Sequence, residues 1–265
     1  MPILKGLEWT FDTKAPLYAK LRPGYVPELY EKIFQYKPIH ASSHVVEIGI
    51  GGGQATLPFL QTGCQLTAVE YGSNFSDLCR EKFKEFPGFS VITGKFEDVD
   101  FEADSCDLVF SASAFHWIPE EAGCRKVFSM LKSGGVFARF ANRPYPDKGN
   151  PELSDAIQKL YETYYYKFHK RKPETPQEYT AKNARAAAEI PLKYGFQDIE
   201  YALFHRIRTF SPSQYTALLE TYSDHMIIEE SIRNEFFSKI QEAIHQHGGK
   251  IHIYDTMDLQ LARKP

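Results

Sequence analysis

The feature that most constrains this chain is a rhythm: short apolar runs separated by helix-length stretches, beginning at His44. Residues 44–50 (HVVEIGI) form a β-branched run ended by Gly51-Gly52-Gly53, and a helix-length stretch follows from Gln54 to Gln61. Residues 65–70 (QLTAVE) are a second short strand. Ser73 can cap a helix running to Phe86, with Pro87-Gly88 stopping it. FSVITG, SCDLVFSAS and GGVFARFA repeat the strand signature, and a helix from Glu120 to Leu131 precedes the last of them. Strands alternating with helices predict βαβ units, and therefore a doubly wound α/β fold whose sheet is mostly parallel and covered on both faces.

After Ala141 the rhythm breaks. Helices are expected over Leu153–Tyr166 and Ala181–Ile190, a sixth strand near 196–210, helices from Ser211 to about Tyr222 and on to His247, and a final strand over 251–265. The last two strands fit antiparallel addition at one edge of a seven-stranded sheet. The segment after strand 5 is longer than a crossover needs. The chain thus divides into an N-terminal lid (1–40), a ligand-binding core (41–141), a helical cap (142–250) and the closing strand. The cap is expected over the carboxyl edge of the sheet, where open α/β sheets bind ligands.

Composition excludes several classes. Lys and Arg total 31 against 34 Asp and Glu, a net charge of −3, so no basic face for nucleic acid is expected. No run approaches the roughly 18–20 apolar residues that span a bilayer, and the start (MPILKGLEWTFDTK) lacks the pattern of a signal peptide. Four cysteines (Cys64, Cys79, Cys106, Cys124) stand scattered with no CxxC pair, which reads as a reducing, cytoplasmic setting. His245-x-His247 does not read as a metal site, because a spacing of two on a helix points the imidazoles apart and no thiol joins them. The sequence leaves the oligomeric state open.

The chemistry concentrates where the first strand ends, at Glu47-Ile48-Gly49-Ile50-Gly51-Gly52-Gly53. Glycines there let the backbone turn sharply against a ligand, and a helix N-terminus behind them offers N–H groups. About twenty residues on, Glu70 ends the second strand, placed to accept hydrogen bonds from both ribose hydroxyls of a nucleoside. A dinucleotide fingerprint needs a small residue at its sixth position, where the register from Gly49 puts Gln54 and that from Gly51 puts Thr56. Glu47 beside a pyrophosphate costs energy, whereas beside an ammonium group it gains. An amino acid joined to adenosine fits these residues, and S-adenosylmethionine is such a ligand.

The sequence resembles the class I S-adenosylmethionine-dependent methyltransferases and, more narrowly, the trans-aconitate methyltransferase-like group. Tyr18 and Arg22-Pro23-Gly24-Tyr25 resemble that group's N-terminal element, VVEIGIGGG its glycine motif, and VEYG its acidic motif. GKFEDVDFEADSCDLVFSASAFHW covers the next two motifs, LKSGGVFA the turn before strand 5, and Glu220-Thr221-Tyr222-Ser223 a cap signature. The resemblance is strong over 40–141 and looser elsewhere. It implies a Rossmann-like methyltransferase fold in which Glu47, Gly49, Gly51 and Gly53 face the methionine part and Glu70 with Tyr71 faces the ribose. It also implies Phe96 and Glu97 at the adenine, Ser111 near the sulphonium, and Tyr18 and Arg22 in the cofactor site. Lys95 departs from the acid many relatives carry there. Since lysine accepts no hydrogen bond, either Glu97 or the Lys95 backbone takes the adenine amino group.

On the acceptor side, His116 is a candidate general base or a donor that positions an acidic acceptor, against a purely structural reading. Trp117 offers a ring face to substrate or packs on the core. Arg139 and Arg143 flank the end of strand 5 and are candidates to hold a substrate carboxylate. The aromatic stripe of Tyr161, Tyr164, Tyr165, Tyr166 and Phe168, followed by His169-Lys170-Arg171-Lys172, reads mainly as helix packing with a solvated charge run. The function expected is methyl transfer from S-adenosylmethionine to a small-molecule oxygen (carboxylate) or nitrogen by direct in-line displacement. A nucleotide-dependent oxidoreductase and a non-enzymatic binder of the cofactor or its product are the alternatives. No Asn/Asp-Pro-Pro-aromatic tetrad of a nucleic-acid methyltransferase is present.

Overall fold

A computed structural model describes residues 11–265. After a 3-10 turn at Phe11–Lys14, helices α1 (Ala15–Leu21) and α2 (Pro27–Tyr36) precede strand β1 (His44–Ile48). Strands β2 (Gln65–Glu70), β3 (Phe89–Thr93), β4 (Cys106–Ala112) and β5 (Leu131–Tyr145) follow, interleaved with α3 (Leu57–Leu60), α4 (Ser73–Lys82) and α5 (Glu120–Met130). The remainder comprises α6 (Pro151–Leu160), a π-helical turn at Tyr161–Tyr166, α7 (Ala181–Ala188), β6 (Gln197–Phe210), α8 (Pro212–Leu219), α9 (Ser223–Met226), α10 (Glu230–Gln246) and β7 (Ile251–Arg263).

The seven strands form one sheet in the order β3-β2-β1-β4-β5-β7-β6. From β3 to β5 the pairs are parallel, with Glu47 of β1 level with Ala68 of β2 and Phe110 of β4. Alternation along the strands splits the core in two. Val45, Leu108, Phe110 and Val136 pack with α2, α3 and α4 through Leu29, Ile33, Phe59 and Cys79. Val46, Val109 and Phe137 pack with α5 through Cys124, Val127 and Met130. Period-two side chains buried in both directions require cover on both faces, which is the doubly wound architecture. Strand order reverses between β1 and β4, so their carboxyl ends open a crevice.

The chain folds as two compact units. One comprises 12–142, 179–204 and 257–265; the other is built on 143–178 and 205–256. The boundaries fall inside β5, β6 and β7, and 179–204, assigned from sequence to the cap, groups with the glycine-loop unit. The second unit has its own core, including Leu153, Tyr165, Phe236, Ile240 and Ile253. All four cysteines are free and buried. Among the described residues no helix is long and apolar enough to cross a membrane.

Several local expectations are corrected. The stretch after the glycines turns repeatedly over 51–56 and gives only a four-residue helix, α3, so no helix N-terminus backs the glycines. Helix α4 stops at Lys82 rather than Phe86, because the Phe83 ring turns into the core. Its N-cap is Gly72, and the cap acceptor comes from far away: the Asp12 carboxylate takes the N–H groups of Asn74 (3.3 Å) and Phe75 (2.9 Å). Strand β5 starts at Leu131 and runs to Tyr145, with a register break that puts Leu131 opposite Cys106 but Val136 opposite Leu108. The break accommodates the Ser133-Gly134-Gly135 turn, where Gly134 has φ +72°. The helix expected over Leu153–Tyr166 is α-helical only to Leu160 and widens over its last six residues.

Candidate active site

The site starts with Glu47, the fourth residue of β1. Glu47 is 1% exposed, and its Oε2 accepts the Thr56 hydroxyl at 2.7 Å. Its Oε1 is buried with no hydrogen-bond partner among the described residues. Burial pushes the carboxyl up to about 8, against the pull of the Thr56 hydroxyl and the Lys82 ammonium, with Glu70 adding to the rise. A buried carboxylate oxygen left unpaired is costly, so the position is suited to a cationic donor brought by a ligand.

The loop after β1 needs its glycines for shape. Gly49 has φ +73°, and a Cβ there would lie 2.5 Å from that of Ala114. Glu70, at the end of β2, is nearly buried. Its Oε2 accepts Gly51 N–H and its Oε1 accepts Gly72 N–H, each at 2.9 Å. Burial raises this carboxyl too, and the Gly72 and Gly51 bonds lower it. An ionised carboxylate has about four acceptor sites, so each oxygen keeps capacity for one hydroxyl of a vicinal diol. An ammonium site and a diol site on the ends of adjacent strands fit an amino-acid nucleoside.

Tyr18 of α1 comes to the loop, with Arg22 against its ring. A Cβ on Gly51 would lie 3.6 Å from the Tyr18 ring, one on Gly52 would lie 2.7 Å from Ala19, and the Arg22 guanidinium stands 5.0 Å from the Tyr18 ring centre. Tyr71 beside Glu70 is 48% exposed, with the Lys95 ammonium 5.7 Å from its ring centre, so the lysine that replaces an acid lies against an aromatic face. Phe96 places its ring in the core and Glu97 is exposed. The backbone of this turn is held by Lys126, whose ammonium binds the carbonyls of Phe96 (2.5 Å), Glu97 (3.0 Å) and Val99 (2.5 Å).

Ser111 is buried, and its hydroxyl donates to the Ile48 carbonyl at 3.0 Å, tying the end of β4 to the end of β1. Sequence reasoning misses the next serine. Ser113 sits at φ +55°, a conformation costly for a residue with a Cβ, with its Oγ 2.9 Å from the Tyr25 hydroxyl and accepting Asn142 N–H at 3.3 Å. Burial pushes the Tyr25 phenol above its ordinary value. Both residues lie inside quoted motifs, RPGY and SAS, but pairing across 88 residues carries no local signal.

His116 is exposed on the 3-10 turn Phe115–Trp117, its ring 5.2 Å from that of Trp117. Arg139 is committed to structure: its Nη2 donates to the Ala187 carbonyl at 2.6 Å, and its guanidinium lies 5.5 Å from the Phe137 ring centre. Arg143 is exposed and belongs to the other unit. In that unit Tyr165 donates to Asp224 Oδ2 (2.7 Å), His225 Nδ1 meets Asp224 Oδ1 (2.8 Å), and the Tyr161 hydroxyl meets His225 Nε2 (2.9 Å). His169 binds the Asp224 carbonyl at 3.0 Å and so is not part of a solvated run. Thr221 of the ETYS signature is buried, donating to the Leu218 carbonyl at 2.6 Å where α8 meets α9.

Comparison with known proteins points to the same chemistry. A methyltransferase domain family model matches residues 46–138. An uncharacterized methyltransferase of Schizosaccharomyces pombe is 23% identical over 239 residues, covering 89% of this chain and 87% of its own. A type II methyltransferase structure from Anaeromyxobacter dehalogenans superposes with a TM-score of 0.62 at 17% identity, covering 91% of this chain and 97% of its own. The phosphoethanolamine N-methyltransferase 2 of Haemonchus contortus, solved with S-adenosylhomocysteine, superposes at 0.53 and 17% identity, over 96% of this chain and 57% of its own.

Proposed function

Because the chain is a class I S-adenosylmethionine-dependent methyltransferase, we propose that it methylates a small molecule at an oxygen, a carboxylate first, or at a nitrogen. Bound S-adenosylmethionine would supply an already activated methyl group for direct in-line displacement by the acceptor. The observation that carries the reading is the unpaired Glu47 Oε1, which favours a ligand with an ammonium group over a dinucleotide phosphate at this loop. Glu47 would hold that ammonium, Glu70 the ribose hydroxyls, and Tyr71 with the Lys95 stem one side of the adenine.

The chain's own residues have little proton chemistry to do. A carboxylate acceptor needs no base, so alignment and water exclusion supply the rate. His116 and Trp117, on the turn after β4, are the acceptor-side residues of this unit, and a nitrogen acceptor would need the imidazole to take its proton. A net charge of −3 supports a small acceptor over a nucleic acid. Membership of the trans-aconitate methyltransferase-like group and a cytoplasmic setting belong to the same reading.

The test is methyl uptake. The protein is incubated with methyl-labelled S-adenosylmethionine and pools of small carboxylic acids, small amines, total tRNA and total protein. Label in a small-molecule product that is released by mild base identifies a methyl ester, and base-stable label formed only with the amine pool identifies nitrogen. Label confined to macromolecules, or none despite tight S-adenosylhomocysteine binding, overturns the proposal.

A further inference from the structure

Three consecutive carbonyls of the glycine loop are held by side chains of one helix. Cys79 Sγ lies 3.1 Å from the Gly51 oxygen, and Lys82 Nζ lies 2.8 Å from the Gly52 oxygen and 3.1 Å from the Gly53 oxygen. The two donors stand three residues apart on α4, hence on one face. The other cation of this helix, Arg80, pairs with the Asp77 carboxylate at 2.7 Å and reaches the Val91 carbonyl at 3.0 Å, away from the glycine loop. Lys82 instead turns its charge onto neutral loop carbonyls, and α4 closes on the loop so tightly that a Cβ on Gly53 would lie 2.6 Å from the Phe83 ring.

We propose that Lys82 is a positioning residue for S-adenosylmethionine: with Cys79 it fixes the peptide planes of the glycine loop. A loop with glycines at φ +52° (Gly51) and +70° (Gly53) has unusual conformational freedom, and ordering it costs binding energy. A clamp on three successive carbonyls removes that cost before the ligand arrives. The charges that face Glu47 work in the same direction. Lys82 lowers its carboxyl and Glu70 raises it. The other groups nearby are neutral at neutral pH, since burial raises the phenols of Tyr25 and Tyr30 and pushes the Cys79 thiol up to about 12. Lys82 is the cation that offsets Glu70. This inference rests on the cofactor assignment and not on the acceptor.

The test is calorimetric titration of S-adenosylhomocysteine into wild type, K82M and K82R from about pH 6 to about pH 9, with thermal melts to verify folding. Wild-type affinity rises as Glu47 ionises. K82M is expected to bind about tenfold more weakly near neutral pH, with that rise displaced to higher pH, and K82R to stay within about threefold of wild type. Wild-type affinity in K82M overturns the proposal. Equal weakening of K82M and K82R with an undisplaced pH profile overturns it as well, and so does a folded K82R that binds tenfold more weakly if K82M does not fold. Absence of binding by wild type would strike the cofactor assignment instead.

Discussion

The two units of this molecule treat buried acids in opposite ways. In the unit built on 143–178 and 205–256, the Asp224 carboxylate is paired on both oxygens, by His225 and Tyr165. Asp255 takes the guanidinium groups of Arg206 and Arg208, and Asp147 takes the N–H groups of Gly149 and His252. In the glycine-loop unit, Glu47 keeps one oxygen without a partner among the described residues, and Glu70 is met by backbone N–H groups, those of Gly51 and Gly72, rather than by side chains. A satisfied buried acid contributes to the fold. An under-satisfied one reports a partner that the chain itself does not supply.

The largest test of this contrast is Glu47→Gln. Losing the anionic partner of the ligand ammonium should weaken S-adenosylhomocysteine binding about a hundredfold. The same change should stabilise the empty protein at neutral and higher pH. The folded-state carboxyl is pushed up to about 8, so the unfolded chain ionises first as pH rises. Between the ordinary carboxylate range and about 8 the folded state holds more protons, and wild-type stability falls with rising pH before levelling off. Gln removes that slope. Weaker binding accompanied by a lower melting temperature above about pH 7 would show that Glu47 is structural and erase the contrast.

Asp224→Asn probes the other side. Its carboxyl is held well below the ordinary range, with hydrogen bonds from His225 and Tyr165 outweighing burial. Its contribution is therefore complete above the unfolded-state pKa, roughly 4, and is lost as pH falls through the folded-state value. The variant should lose about 2 kcal/mol of stability at neutral pH and keep its S-adenosylhomocysteine affinity. Denaturant melts and calorimetry check both. A binding loss larger than the stability loss would make Asp224 part of the ligand machinery and break the division.

Glu70→Ala is expected next in size, with more than a tenfold loss of S-adenosylhomocysteine affinity and a modest fall in melting temperature. Of the two N–H groups that it releases, that of Gly51 is part-buried, whereas that of Gly72 is buried and loses its acceptor. Unchanged affinity would mean that these two backbone donors are the only reason for a carboxylate at this position.

What was legible in the sequence is what short range determines. Short apolar runs marked β1 to β4 nearly to the residue, and the spacing from Gly49 to Glu70 marked the ends of adjacent strands because one βαβ unit separates them. Legibility stopped where a partner comes from elsewhere. Asp12 caps α4 across 63 residues to Phe75, and Ser113 meets Tyr25 across 88. The Lys82 ammonium is one of two cations on its helix until the fold brings the glycine carbonyls to it. The helix expected after the glycines failed for a related reason: Thr56, inside the expected helix, donates its hydroxyl back to Glu47. Side-chain bonds to distant groups leave no periodic trace.

Ser111→Ala is the smallest effect and the finest discriminator. Resemblance places this residue near the sulphonium, whereas its hydroxyl is already donating to the Ile48 carbonyl inside the sheet. A hydroxyl spent on a carbonyl has no second proton to offer, and the site is buried on both adjoining strands. The variant should therefore cost about 1 kcal/mol of stability and shift S-adenosylhomocysteine affinity by less than about threefold. A tenfold affinity loss at unchanged stability would move Ser111 from the frame of the site into its contact surface. The divide between satisfied and under-satisfied groups would then run through β4 rather than at its end.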